Sequence, residues 1–184
     1  MAWTCSGRTN AELVANLRRE GLIKSRRVAE AMTAVDRRCY CRTKAEAYQD
    51  SPQLIGNGAT ISAPHMHANA VESVVDYLEP GASVLDIGSG SGYLAAVFHH
   101  LVKPCPGQEA SVSQAHKCGR VIGIEHIQEL SDWSVENLRN NNLGPALQRG
   151  QIEMVVGDGR KGEFCQDAEL QDAEVEPHSH SGSY

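Results

Sequence analysis

No apolar run in this 184-residue sequence approaches the roughly 20 residues that carry a helix across a bilayer. No membrane partner is therefore expected, and the chain reads as soluble. Its six cysteines, at positions 5, 39, 41, 105, 118 and 165, form no CxxC pair, so the common redox and zinc-ribbon spacings are absent. The N-terminus also lacks the charged-then-apolar pattern of a secretory signal, and free thiols in the cytosol are the expectation. Clustered Lys and Arg are missing as well: the basic residues are scattered and the formal net charge is -6. Phosphate backbones are held by clustered cations, so no nucleic-acid partner is expected.

What remains is the composition of one ordinary domain, 41% hydrophobic and long enough to bury a single core. Thr9-Asn10-Ala11-Glu12 offers a helix cap with an acid behind it, and Leu13, Val14 and Leu17 follow at helical spacing. Ser25 caps a second helix whose Val28, Ala31, Met32 and Val35 share a face, with Asp36-Arg37-Arg38 as its polar end. These helices occupy 9–40 and pack on a larger body. Residues 47–64 carry Asp50-Ser51-Pro52, Gly56-Asn57-Gly58 and Ser62-Ala63-Pro64, turn chemistry that predicts a long functional loop. A helix over 65–78 should bury positions 66, 70, 71, 74, 75 and 78, and Glu79-Pro80-Gly81 stops it.

The segment 82–87 reads as a buried strand and 93–101 as the helix after it. A loop is expected over 103–118, a strand over 120–125, a helix over 130–140 and a strand over 152–156. Strands alternating with helices predict an α/β fold with a parallel sheet, its cofactor-binding core spanning 65–160 of a domain that covers 1–162. The acidic residues 163–184 read as a polar, disordered tail.

The run Val84-Leu85-Asp86-Ile87-Gly88-Ser89-Gly90-Ser91-Gly92 places a glycine turn between a strand and a helix. Such a turn lets a ligand meet the backbone and the helix N-terminus. A dinucleotide site asks for GxGxxG, whose third position here is Tyr93; the pattern present is GxGxG. Asp86 would repel a pyrophosphate but suits an ammonium group, such as the methionine end of S-adenosyl-L-methionine. Glu125 and Asp158 end the next two strands, where ligands of open parallel sheets bind. Glu125 suits the ribose hydroxyls and Asp158 the adenine amino group.

The preceding run, Gln53-Leu54-Ile55-Gly56-Asn57-Gly58-Ala59-Thr60-Ile61-Ser62-Ala63-Pro64-His65-Met66-His67-Ala68, resembles the signature of the protein-L-isoaspartate (D-aspartate) O-methyltransferases. That family repairs aged proteins, and the resemblance runs from the N-terminal helices to about Lys161. It implies a Rossmann-like S-adenosylmethionine-dependent methyltransferase fold. It also implies methyl transfer to the α-carboxylate of L-isoaspartyl and D-aspartyl residues, leaving S-adenosyl-L-homocysteine and an ester that closes to a succinimide. Carried over, Ser62 sits at the active site, and Ala59, Thr60, Ile61, Ser62 and His67 line the cofactor or substrate. Asp86, Gly88, Ser89, Gly90, Ser91, Glu125, His126, Asp158 and Gly159 complete the cofactor site. No metal is assigned. Proteins and peptides containing isoaspartyl residues are the implied partners, the cytosol the implied compartment and a monomer the implied state.

Plainer roles compete at individual positions. Ser62 could simply cap the helix that begins near Pro64, and His65 and His67 could lie on the surface. Cys105, His116 and Cys118 could form a zinc site, although their spacing favours a flexible loop. Family members continue past the third strand, and the 103–118 insert is foreign to their pattern. Both departures suggest an alternatively spliced or otherwise truncated form whose C-terminal strands are missing. Without its neighbour the first strand would leave an unpaired edge beside Val84, Leu85 and Ile87, open to self-association. Lost burial, at about 25 cal/mol per Å² against a net stability of about 5 to 15 kcal/mol, predicts reduced stability and weak or absent activity. Two readings follow: a carboxyl methyltransferase, or an inactive form that serves as a binding or regulatory partner. A small-molecule or nucleic-acid methyltransferase accounts poorly for the 53–68 run and the acidic chain.

Overall fold

The computed structural model describes residues 5–103 and 119–161. The loop and zinc readings of 104–118 and the tail reading of 162–184 lie outside the described residues.

Helix α1 (Asn10–Arg19) begins where the Thr9 hydroxyl accepts from the Glu12 amide at 3.1 Å, and it buries Leu13, Val14 and Leu17. Helix α2 (Arg26–Ala34) begins at Ser25, whose hydroxyl accepts from the Val28 amide at 3.1 Å. Its apolar stripe of Val28, Ala31 and Met32 is buried, and so is Val35. A helix end leaves carbonyls without partners. Here the buried Asn10 amide donates to the carbonyls of Met32 at 3.0 Å and Val35 at 3.1 Å, so the start of α1 closes the end of α2.

Three expectations fail in the next stretch. Residues 47–64 are not free of regular structure: β1 (Gln53–Gly56) and β2 (Ala59–Ile61) form an antiparallel hairpin. Asn57 and Gly58 turn it with φ of 54° and 74°, the left-handed pair that matches the twist of a tight hairpin. The strands are only four and three residues long, too short for alternation to show in the sequence. The hairpin is anchored by Ile55, which is buried, and by Arg42, which donates to the Ile55 carbonyl at 3.2 Å and lies 3.8 Å above the Trp133 ring.

Helix α3 (Pro64–Val74) buries Pro64, His67, Ala68 and Val71 and leaves Met66 52% exposed, so the inward face is rotated from the expected one. Counting only apolar positions misplaced that face, because His67 is an inward residue. The capping role suggested for Ser62 is also absent. Asp50 does that work from the preceding loop, accepting from the His65 amide at 3.0 Å and meeting its Nδ1 at 2.8 Å.

Strands β3 (Ser83–Ile87), β4 (Arg120–Glu125) and β5 (Ile152–Val156) form a parallel sheet in that order. The crossovers are α4 (Tyr93–Val102) and α5 (Gln128–Asn140), followed by the short α6 (Gly144–Gln148) that the sequence pattern did not indicate. α4 is apolar nearly all round and is buried between the sheet and α2. β3 departs from the buried strand expected. Among the described residues it pairs with β4 alone, and Leu85 and Ile87 stand 49% and 60% exposed. Val84 and Asp86, on the opposite face, are partly shielded. No helix among the described residues is long and apolar enough to cross a membrane.

Candidate active site

Three segments converge at the carboxyl end of β3. The glycine turn follows the strand directly, with Gly88, Gly90 and Gly92 at φ of 80°, 51° and 81°, conformations that side-chain-bearing residues resist. It is held to the sheet by the amides of Gly88 and Ser89, which donate to the Ile124 carbonyl at 2.8 and 3.0 Å. Asn137 of α5 donates to the Ser91 carbonyl at 3.0 Å from the other side. The hairpin brings Thr60 and Ile61, and the start of α3 brings Ser62 and His67. Together with Asp86, Ser89 and Tyr93 these residues line one pocket.

Ser62 presents a hydroxyl with no protein partner among the described residues, and its carbonyl is fixed by Arg37 Nη2 at 2.8 Å. Asp86 Oδ2 and the Ser89 hydroxyl are buried without a partner. Burial, reinforced by the nearby Glu125 carboxylate, raises Asp86 to about 6. An acceptor of this kind fits a cationic donor, since a buried polar group without a partner is costly.

Beyond Gly88 a second cavity of about 400 Å³ is lined by Ile87, Ile124, His126, Gly157, Asp158, Gly159 and Arg160. A volume of that order accommodates a small ligand. Two acids expected to face it are already engaged. Glu125 is buried and accepts from the Gly90 amide at 3.0 Å and the Ile127 amide at 3.1 Å, while meeting His126 Nδ1 at 3.0 Å. It therefore ties the glycine turn to β4, with lone pairs remaining on each oxygen. Asp158 is gripped by Arg160 through Nε at 2.9 Å and Nη2 at 2.7 Å, which holds its carboxyl well below the usual range. Ala59 stands in β2 beside Thr60 rather than in either lining.

Sequence reasoning missed Arg37, Tyr93 and Asn137. Arg37 follows a helix in a polar run, where a basic residue ordinarily faces water. Here it is wholly buried, 5.6 Å from the centre of the Tyr93 ring. Asn137 lies on the apolar side of α5, and a polar residue at an inward helical position was the signal available.

A parallel sheet with a glycine turn after its first strand, and acids at all three strand ends, defines a Rossmann-like methyltransferase fold. A solved Plasmodium falciparum protein-L-isoaspartate O-methyltransferase, complexed with S-adenosyl-L-homocysteine, has this fold with a TM-score of 0.70. It is 30% identical, and the match covers 89% of this chain and 67% of that one. The profile of the protein-L-isoaspartate (D-aspartate) O-methyltransferases matches residues 8–169, and the chain belongs to that family. Protein-L-isoaspartate O-methyltransferase 1 of Arabidopsis thaliana is 44% identical over 153 residues, 83% of this chain and 61% of the relative. The Caenorhabditis elegans protein is 41% identical over 162 residues, 88% of this chain and 65% of the relative. Protein-L-isoaspartate O-methyltransferase 2 of Arabidopsis thaliana is matched over only 44% of its length. The chain thus spans between about two fifths and two thirds of these relatives.

Proposed function

We propose that this chain binds S-adenosyl-L-methionine and transfers its methyl group to the α-carboxylate of L-isoaspartyl and D-aspartyl residues, initiating repair of damaged proteins. The observation that carries the reading is the convergence of Ser62, His67, Asp86 and the glycine turn on one pocket. The unpartnered Asp86 oxygen fits the ammonium of the cofactor's methionine end, and the cavity beyond Gly88, with Asp158 and His126, fits its nucleoside. When bound, the cofactor supplies a methyl carbon made electrophilic by the sulfonium.

The protein's own part is positioning. An α-carboxyl group has a pKa of roughly 3.5, so the nucleophile is ionised at neutral pH and needs no general base. The Ser62 hydroxyl donates to a carboxylate oxygen and aims it, while Arg37 fixes the Ser62 backbone. Orientation of this kind accounts for several kcal/mol of barrier in comparable bimolecular reactions. Ile61, Tyr93 and Leu94 exclude water from the same pocket.

The exposed Leu85 and Ile87 favour a second reading, in which this face of the sheet associates with another chain and the protein serves as a binding or regulatory partner. Methyl transfer to an isoaspartyl peptide, but not to its aspartyl counterpart, supports the first reading. A folded chain that binds cofactor without transfer supports the second.

A further inference from the structure

His67 stands in the same pocket as Ser62, yet 7% of its surface reaches water. Its ring stacks on Tyr93, with centroids 4.8 Å apart and planes inclined by 28°. Arg37 Nη1 lies 3.3 Å from His67 Nδ1. A guanidinium has donors and no acceptor, so Nδ1 must accept and carry no proton. A neutral imidazole then keeps its proton on Nε2. That nitrogen has no protein partner among the described residues, and with Nδ1 turned to Arg37 it is the ring nitrogen left for the pocket.

Arg37 itself is wholly buried and lines no part of the pocket. Among the described residues no carboxylate lies within ion-pair distance of it, Asp50 acting on it only from further away, and its Nε is unsatisfied. A buried cation without an ion pair is costly, which makes a purely structural explanation uneconomical. Its two side-chain hydrogen bonds go to two residues that line the pocket, His67 and Ser62.

We infer that Arg37 is a positioning residue that locks His67 in its Nε2–H form, so that His67 presents to the pocket, beside Ser62, a neutral hydrogen-bond donor for a carboxylate oxygen. The choice of a carboxylate rests on the function proposed above; the proton position does not. The groups that face the ring are Arg37 from the turn after α2, His65 from its own helix and Tyr93 from α4, with Asp86 of β3 in the same pocket lining. Burial first, then Arg37 and His65, depress His67 to about 3, and the Asp50 carboxylate is turned to His65 Nδ1 at 2.8 Å rather than to His67. The donor therefore persists throughout the working range.

The carboxylate has two sources, the substrate and the methionine end of the cofactor. The test begins with the full chain labelled with ¹⁵N-histidine and two-bond ¹H–¹⁵N correlation spectra from roughly pH 5 to 8. A neutral Nε2–H pattern for His67 with no titration is expected. An Nδ1–H pattern, or a protonation midpoint near the ordinary histidine value of about 6.5, overturns the inference. This readout needs a folded chain and no activity, so failure of methyl transfer and failure of the tautomer are seen separately.

Arg37→Met should release the tautomer and Arg37→Lys partly restore it, since lysine keeps one donor. If the substrate is the source, Arg37→Met raises the KM for an isoaspartyl peptide about tenfold and leaves S-adenosyl-L-homocysteine affinity unchanged. If the cofactor is the source, that affinity falls by a similar factor. Loss of the tautomer with neither effect overturns the ligand role. Should Arg37→Met fail to fold, the wild-type spectra and the lysine variant still decide.

Discussion

Asp86 sits in tension between stability and function. Burial and the neighbouring Glu125 raise it from 3.8 to about 6, so the folded chain holds its proton more tightly than the unfolded chain. Stability contributed by this group is therefore present below pH about 4 and is lost as pH rises towards about 6, by up to about 3 kcal/mol. Asp86→Asn should raise the thermal midpoint above pH 7, and an unchanged or lower midpoint would contradict the burial argument. An ammonium ligand needs the ionised carboxylate. Affinity for S-adenosyl-L-homocysteine should accordingly fall as pH drops below about 6 in the native chain, and should be weak and flat with pH in Asp86→Asn. Calorimetric titration across that range checks both. Asp86 and Ser62 were legible because a glycine turn and a dense local motif surround them. Arg37 was not, since nothing between Asp36 and Arg38 shows that the third helix brings His67 and Ser62 against it.

The secondary-structure elements show the same division. Helices α1 and α2 and strands β4 and β5 follow from caps, periodicity and apolar runs that lie within each segment. The hairpin and the inward face of α3 depend on contacts between segments, so the local pattern presents the short strands as loop and Met66 as core. Gly58 turns that hairpin at φ 74°, which a β-branched side chain resists by roughly 1 to 2 kcal/mol. Gly58→Val should lower the thermal midpoint and weaken cofactor binding, because Thr60 and Ile61 enter the pocket from the hairpin. An unaltered affinity would show that the hairpin does not shape the site. Asp50→Ala removes the acceptor at the start of α3 and the partner of His65, at an expected cost of about 1 to 2 kcal/mol by chemical denaturation. A change under about 0.5 kcal/mol would show that the helix end is satisfied by other means.

At the scale of the whole molecule, the core lies on one side of the sheet, where α4 and α5 cover it, while Leu85 and Ile87 emerge on the other. Among the described residues β3 pairs with β4 alone, which leaves its other edge open beside this face. An apolar face of this kind promotes association. Sedimentation velocity should show mass rising with concentration in the native chain and not in Ile87→Lys; a monomer at all concentrations would contradict it.

The central claim is that this pocket carries out carboxyl methylation, and methyl transfer from radiolabelled S-adenosyl-L-methionine tests it most directly. An isoaspartyl peptide, its matched aspartyl peptide and the Ser62→Ala variant supply the comparison. The account predicts label on the isoaspartyl peptide alone, reduced about tenfold or more by Ser62→Ala with no loss of thermal stability. No label from the folded chain, or equal label on both peptides, would contradict it.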